Sequence, residues 1–158
     1  MSKTEFSESD LVWMNIYNEG DTLIFQSNNG DLDTSIIVSK EIGYPEPNPV
    51  EVHDDYLPHT GIIWYTNKAL RYNPEGDQLI SLVKKTPKKI TLMFNYLYNS
   101  AVVDNLNDNT LEGVKDGSIY VLDLGDSGYD KPRVLYWHET RGLVKYITGD
   151  NIVWNRIN

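Results

Sequence analysis

Asn29, Asp31 and Asp33 are oxygen donors spaced two apart, the spacing of the first, third and fifth ligands of a calcium-binding loop. The next place in such a loop turns sharply and needs glycine, and Thr34 stands there; Glu41 falls one residue past the bidentate place. The same residues suit a hairpin turn, so a turn is the expected reading. Asp104-Asn105-Leu106-Asn107-Asp108-Asn109 departs from the pattern similarly, because Leu106 takes a ligand place. His53, Asp54, Asp55 and His59 could bind zinc through imidazole and carboxylate groups. Their spacing matches no helical or hairpin ligand set, and a solvated loop is expected. Neither a metal nor a cofactor is expected.

A nucleophile is the other candidate. Gly125-Asp126-Ser127-Gly128 resembles the nucleophile loop of chymotrypsin-like serine proteases, whose mechanism needs a base on the serine, a carboxylate on the base and backbone donors for the oxyanion. Tyr129 replaces the glycine that follows, and the surroundings of His53, His59 and His138 do not match the family's histidine motif. Ser127 therefore reads as a loop residue, no catalytic residue is expected, and a hydrolase is kept only as an alternative. His138, two residues from Tyr136 on one strand face, is expected to be structural. Lys84, Lys85, Lys88 and Lys89 surround Thr86-Pro87; a phosphate or headgroup site is conceivable, and protection of a sheet edge is the expected role.

The composition sets bounds on these readings. A chain of 158 residues is long enough to bury roughly 70% of its unfolded surface in one core. The formal net charge of −9 repels phosphate backbones, so no nucleic-acid partner is expected. There are no cysteines, which removes thiolate chemistry and disulfides together. No apolar run reaches the ~20 residues that span a bilayer.

Residues 1–9 are polar and acidic and are expected to be a flexible lead-in, with a single domain over 10–158. Asp10 to Tyr17 reads as a short helix capped by Ser9 or Asp10, or equally as a strand. From Asp21 the period becomes two. Leu23, Phe25 and Ser27 alternate with Thr22, Ile24 and Gln26; Asn29-Gly30 suits a type I′ hairpin; Thr34 to Val38 returns. Pro45, Pro47, Pro49 and Pro58 mark an extended loop. Strands are expected near residues 61–72, 79–83 and 89–98, with Ile90, Leu92, Phe94, Tyr96 and Tyr98 on one face. Residues 99–117 read as irregular. A strand at 118–124 and a closing meander, Val134 to Trp154, complete the chain. The pattern predicts an all-β fold: an antiparallel β-sandwich or partly closed β-barrel of about eight or nine strands. Tyr136, Trp137, Tyr146 and Trp154 are expected to close the core, together with His138.

Two segments carry a resemblance. One is Glu19-Gly20-Asp21-Thr22-Leu23-Ile24-Phe25-Gln26-Ser27 with Gly30-Asp31-Leu32-Asp33-Thr34-Ser35-Ile36-Ile37-Val38. The other is Tyr136-Trp137-His138-Glu139-Thr140-Arg141-Gly142-Leu143-Val144-Lys145-Tyr146, ending near Trp154. They resemble a loose group of small Bacteroidetes-type envelope lipoproteins of uncharacterised function, over about a quarter of the chain. The resemblance implies a secreted all-β domain tethered by a lipid on an N-terminal cysteine, placed in the periplasm or at the outer-membrane surface. This chain has no such cysteine, and residues 1–9 would be the remnant of the tether. The group supplies no catalytic residues to carry over. The expected function is a non-enzymatic envelope domain with a binding or structural role and a protein or glycan partner. The alternative is a small apolar-ligand carrier of the lipocalin-like barrel type, although the lipocalin Gly-x-Trp opening is absent.

Overall fold

The structure is a computed structural model that describes residues 2–47, 55–71, 73–126 and 128–158. Thirteen strands occur among them: β1 (Ser2–Lys3), β2 (Thr22–Ser27), β3 (Leu32–Gly43), β4 (Tyr56–Leu57), β5 (His59–Asn67), β6 (Asp77–Thr86), β7 (Lys89–Tyr96), β8 (Asn99–Val103), β9 (Lys115–Asp116), β10 (Ile119–Asp123), β11 (Pro132–His138), β12 (Gly142–Thr148) and β13 (Val153–Arg156). A one-turn helix, α1 (Glu8–Leu11), precedes β2. Eleven strands form one antiparallel sheet in the order β8-β7-β6-β5-β3-β2-β13-β12-β11-β10-β9, while β1 and β4 make a small parallel pair. The large sheet curls into a half-barrel, so the expectation of an all-β, partly closed architecture holds.

The curl follows from what the alternating residues bury. Leu23 and Phe25 on β2, Ile63 and Tyr65 on β5, Ile90 to Tyr96 at every second place on β7, Leu135 and Trp137 on β11, and Leu143 and Tyr146 on β12 all face inward and are buried. Phe94 and Trp137, from strands near opposite ends of the sheet, meet with ring centroids 5.0 Å apart. Tyr96 meets Tyr146 at 5.1 Å. A flat sheet could not bring them together. Each such side chain contributes about 1.5–3 kcal/mol on burial, and the edge-on ring pairs add about 0.5–1.5 kcal/mol each. The concave side is therefore filled by its own rings. Across the remaining seam, Asn99 at the start of β8 donates from Nδ2 to the carbonyls of Pro132 (2.6 Å) and Gly125 (3.4 Å).

Several local expectations are corrected. The β2–β3 turn is not type I′: Gly30 has φ +88°, but Asn29 is not among the positive-φ residues, and Gly30 N–H donates to Ser27 O at 3.0 Å. This is a type I turn closed by a left-handed glycine. The two-residue loop with both residues left-handed is Leu97-Tyr98 (φ 48° and 68°), between β7 and β8, where no glycine signals it. Tyr98 consequently leaves the inward face of β7 and is exposed. β8 itself lies in the stretch expected to be irregular. The cap of α1 is Ser7, in a reciprocal capping box with Asp10.

Within residues 2–9, the stretch expected to be a flexible lead-in, β1 pairs with β4, and Thr4 and Phe6 are held against the sheet. Thr4 is only 3% exposed; its Oγ1 donates to Lys84 O and accepts from His59 N–H, and its own N–H donates to Leu57 O. Behind this strap Met14 and Tyr17 are buried, with Tyr17 Oη accepting the Leu143 N–H at 2.8 Å. Polarity misled the sequence reading because these polar groups are hydrogen-bonded to backbone rather than to water. No helix among the described residues is long and apolar enough to cross a membrane.

Candidate functional site

Antiparallel pairing sorts the connections to two poles. At the pole holding the β2–β3 and β7–β8 turns, Asp33 points into the barrel. Its Oδ2 accepts from Tyr96 Oη (2.7 Å) and Tyr146 Oη (2.8 Å), and its Oδ1 accepts from Asn67 Nδ2 (2.6 Å). Ser35 Oγ bridges Tyr96 Oη and Asn67 Nδ2, both at 2.8 Å. Burial pushes the Tyr96 and Tyr146 hydroxyls well above the ordinary phenol range, and the Asp33 carboxylate pushes them further. Asp33 is thus a polar anchor between β3, β5, β7 and β12, not the fifth ligand of a calcium loop. Asn29 and Asp31 stay in the exposed turn.

At the opposite pole, His59 is stacked between Phe6 (4.2 Å) and Tyr44 (4.6 Å), and its Nδ1 accepts the Phe6 N–H at 2.9 Å. Burial lowers its pKa, outweighing the nearby Glu5. This ring fastens the N-terminal strap. His53 and Asp54 lie outside the described residues, while Asp55 lines a surface groove of about 490 Å3 with Tyr56, Lys85 and Lys89. Among the described residues no three His, Asp or Glu side chains gather closely enough to hold a metal.

The lysine cluster is split by the pleat. Lys84 turns inward and pairs with Asp10 at 2.9 Å; burial alone would raise the Asp10 carboxyl, but hydrogen bonds from Lys84 and Ser7 outweigh it and hold it low. Lys85, Lys88 and Lys89 are exposed. The expected role at a sheet edge is corrected, because β6 and β7 are interior strands and the edge is β8. Ser127 lies outside the described residues. In the second acidic stretch, Asn105 and Asp108 cap the amides of Asn107 and Thr110 with their own Oδ1 atoms, which is turn chemistry.

A further groove, of about 390 Å3, lies on the outer face of the closing meander. It is built by an irregularity in register. Tyr136 pairs with Lys145, yet the next residue, Trp137, pairs with Leu143, so Val144 is an unpaired bulge residue. Between inward Leu143 and Tyr146, both Val144 and Lys145 therefore face outward. Cross-strand register sets Val121, Tyr136, Lys145 and Asn155 in one row over β10, β11, β12 and β13. Lys145 Nζ stands 4.7 Å from the Tyr136 ring centroid, in cation–π geometry. Ile119, Val121 and Val144 supply an apolar floor, with Asp116 and Asn155 at the sides. The Lys115–Glu139 ion pair (3.1 Å) braces the flank at β9.

This placement corrects the expectation for the meander. Trp137 and Tyr146 are in the core, and Trp154 stacks on Tyr146 from the inside at 5.7 Å, but Tyr136 is on the outer face. His138 is not a core residue either: it caps the β11–β12 turn, Nδ1 accepting the Thr140 N–H at 3.1 Å. Adjacent Tyr136 and Trp137 could not both point inward on one strand, and that alternation was the signal available. The bulge itself has no mark in Leu143-Val144-Lys145-Tyr146. The groove offers one cation, one carboxylate, one amide and an aromatic ring. No protein-family model, no curated protein and no solved structure matches the chain.

Proposed function

We propose that the chain is a non-catalytic binding domain of a cell envelope that holds a protein or glycan partner on its outer face. The observation that carries this reading is the bulge-built groove at Tyr136, Val144 and Lys145, whose side chains make a cavity in the size range of ligand sites. The filled concave side argues in the same direction. A lipocalin-like carrier needs its space there, and Phe25, Tyr65, Phe94, Tyr96, Trp137 and Tyr146 occupy it. The envelope placement rests on the likeness of the opening hairpin and closing meander to envelope lipoproteins.

The test is to probe the immobilised domain against a glycan array and purified envelope proteins, with Tyr136→Ala and Val144→Glu beside it and, as control, Ile36→Ser, an exposed residue of β3 outside the groove's row. Binding lost in the first two and kept in the third is the expected outcome. Binding that survives all three takes the groove out of the reading. Fractionation of cells expressing the native gene, with recovery in the cytoplasmic fraction, takes away the envelope placement.

A further inference from the structure

We infer that the Tyr136–Lys145 groove takes a carboxylated saccharide, a sugar ring of uronic-acid type. The inference rests on the reading of the domain as a binding module and names its ligand class.

The first argument is what the groove cannot offer. β11 is hydrogen-bonded to β10 and β12, and β12 to β11 and β13. The main chain beneath Tyr136 and Lys145 is thus already committed to the sheet. A peptide that recognises a partner by strand addition needs a free edge, and β11 and β12, the interior strands that carry Tyr136, Val144 and Lys145, offer none. Recognition here falls to side chains, which suits a ring bearing its polar groups on the rim and C–H groups on its faces.

The second argument is charge. The chain carries 23 acidic residues against 14 lysines and arginines. Lys145 is nevertheless left to an aromatic ring: the ion pairs found among the described residues are Lys84–Asp10 and Lys115–Glu139. A half-buried lysine with its ammonium over a tyrosine, without a carboxylate of its own, is a receptor for a carboxylate brought by a ligand. The Asp116 carboxylate and Asn155 amide then face hydroxyls, and Ile119, Val121 and Val144 face the C–H surface. The same negative field disfavours a long polyanion, so the ligand is a short segment.

The experiment is an amide chemical-shift titration with tri-galacturonate, its fully methyl-esterified form and maltotriose. Shifts confined to Ile119, Val121, Tyr136, Val144, Lys145 and Asn155 are expected with the free acid. Lys145→Gln should weaken it about tenfold or more, the scale of a lost charge-assisted hydrogen bond, while Lys145→Arg retains binding and Lys68→Gln changes nothing. Equal affinity for the ester and the acid would overturn the carboxylate and leave a glycan site standing. Shifts elsewhere, or no saccharide binding at all, would overturn the inference. If an envelope partner still requires Tyr136 in that case, the binding-module reading survives alone. Thermal melts of each variant establish that it is folded.

Discussion

Raising the pH should unfold this protein cooperatively, through its buried tyrosines. Tyr17, Tyr65, Tyr96 and Tyr146 are each no more than 2% exposed. Burial pushes Tyr17 up to about 12, against an opposing pull from Arg156, and pushes Tyr65, Tyr96 and Tyr146 up more strongly. In the unfolded chain a tyrosine ionises near pH 10. The folded state holds these protons where the unfolded state releases them, so the stabilisation is complete below about pH 10 and drains as pH rises. Each group costs about 1.4 kcal/mol per pH unit in that window, so four cost roughly 5–6 kcal/mol by pH 11 and roughly 11 kcal/mol by pH 12. Against a typical stability of about 5–15 kcal/mol, the midpoint falls at about pH 11–13. Followed together, tyrosinate absorbance at 295 nm and near-ultraviolet circular dichroism should share a late step whose absorbance amplitude is that of four of the 11 tyrosines. Tyr17→Phe should reduce the pH slope by roughly a quarter. An absorbance that accounts for all 11 tyrosines while the native circular dichroism is intact would refute the reasoning, because solvent would then reach rings assigned to a dry core.

Three further outcomes follow from the same geometry. Asp33→Ala leaves Tyr146 Oη and one Asn67 N–H without their acceptor, costing about 2–4 kcal/mol, so Tm should drop by roughly 5–15 °C in a calorimetric scan; a drop below 2 °C would mean water replaces the carboxylate. Tyr98→Gly removes a left-handed strain of about 1–2 kcal/mol and should raise Tm by roughly 2–6 °C, whereas a lower Tm would show that the Tyr98 ring contributes more than its backbone costs. His59, whose pKa is lowered by burial, accepts the Phe6 N–H with Nδ1 and feels Glu5 and Lys84. Its fastening of the strap is complete above the unfolded value of about 6.5 and lost as pH falls through the folded one. The exchange protection of the Phe6 amide should therefore fall on acidification before that of the β7 amides, and unchanged protection at pH 5 would count against this role for the ring.

The fold class was legible because its signal is local. Leu23/Phe25 and Ile90/Leu92/Phe94/Tyr96 alternate with period two, and that alternation survives in the structure as the buried face of β2 and β7. Glycine turns were legible for the same reason, although Gly30 closes a type I turn. The Leu97-Tyr98 turn was hidden, since tertiary contacts hold these residues in a conformation their own chemistry disfavours: Tyr65 Oη accepts the Leu97 N–H and Asn99 is tied across the seam. The strap was hidden likewise. Ser2 to Ser9 looks like a solvated end until Lys84 O and His59 N–H are placed beside Thr4, and those lie 80 and 55 residues away.

The sequence by itself therefore determined an acidic, cysteine-free, all-β chain and most of its inward-facing positions, because side-chain alternation and turn chemistry are properties of neighbours. Only the tertiary structure decided the curl of the sheet, the role of Asp33 and the groove. The curl depends on rings meeting from opposite ends of the sheet. Asp33 finds its partners on three other strands. The groove depends on a one-residue slip between β11 and β12, which turns Val144 and Lys145 to the same face and is a property of pairing, not of either strand alone.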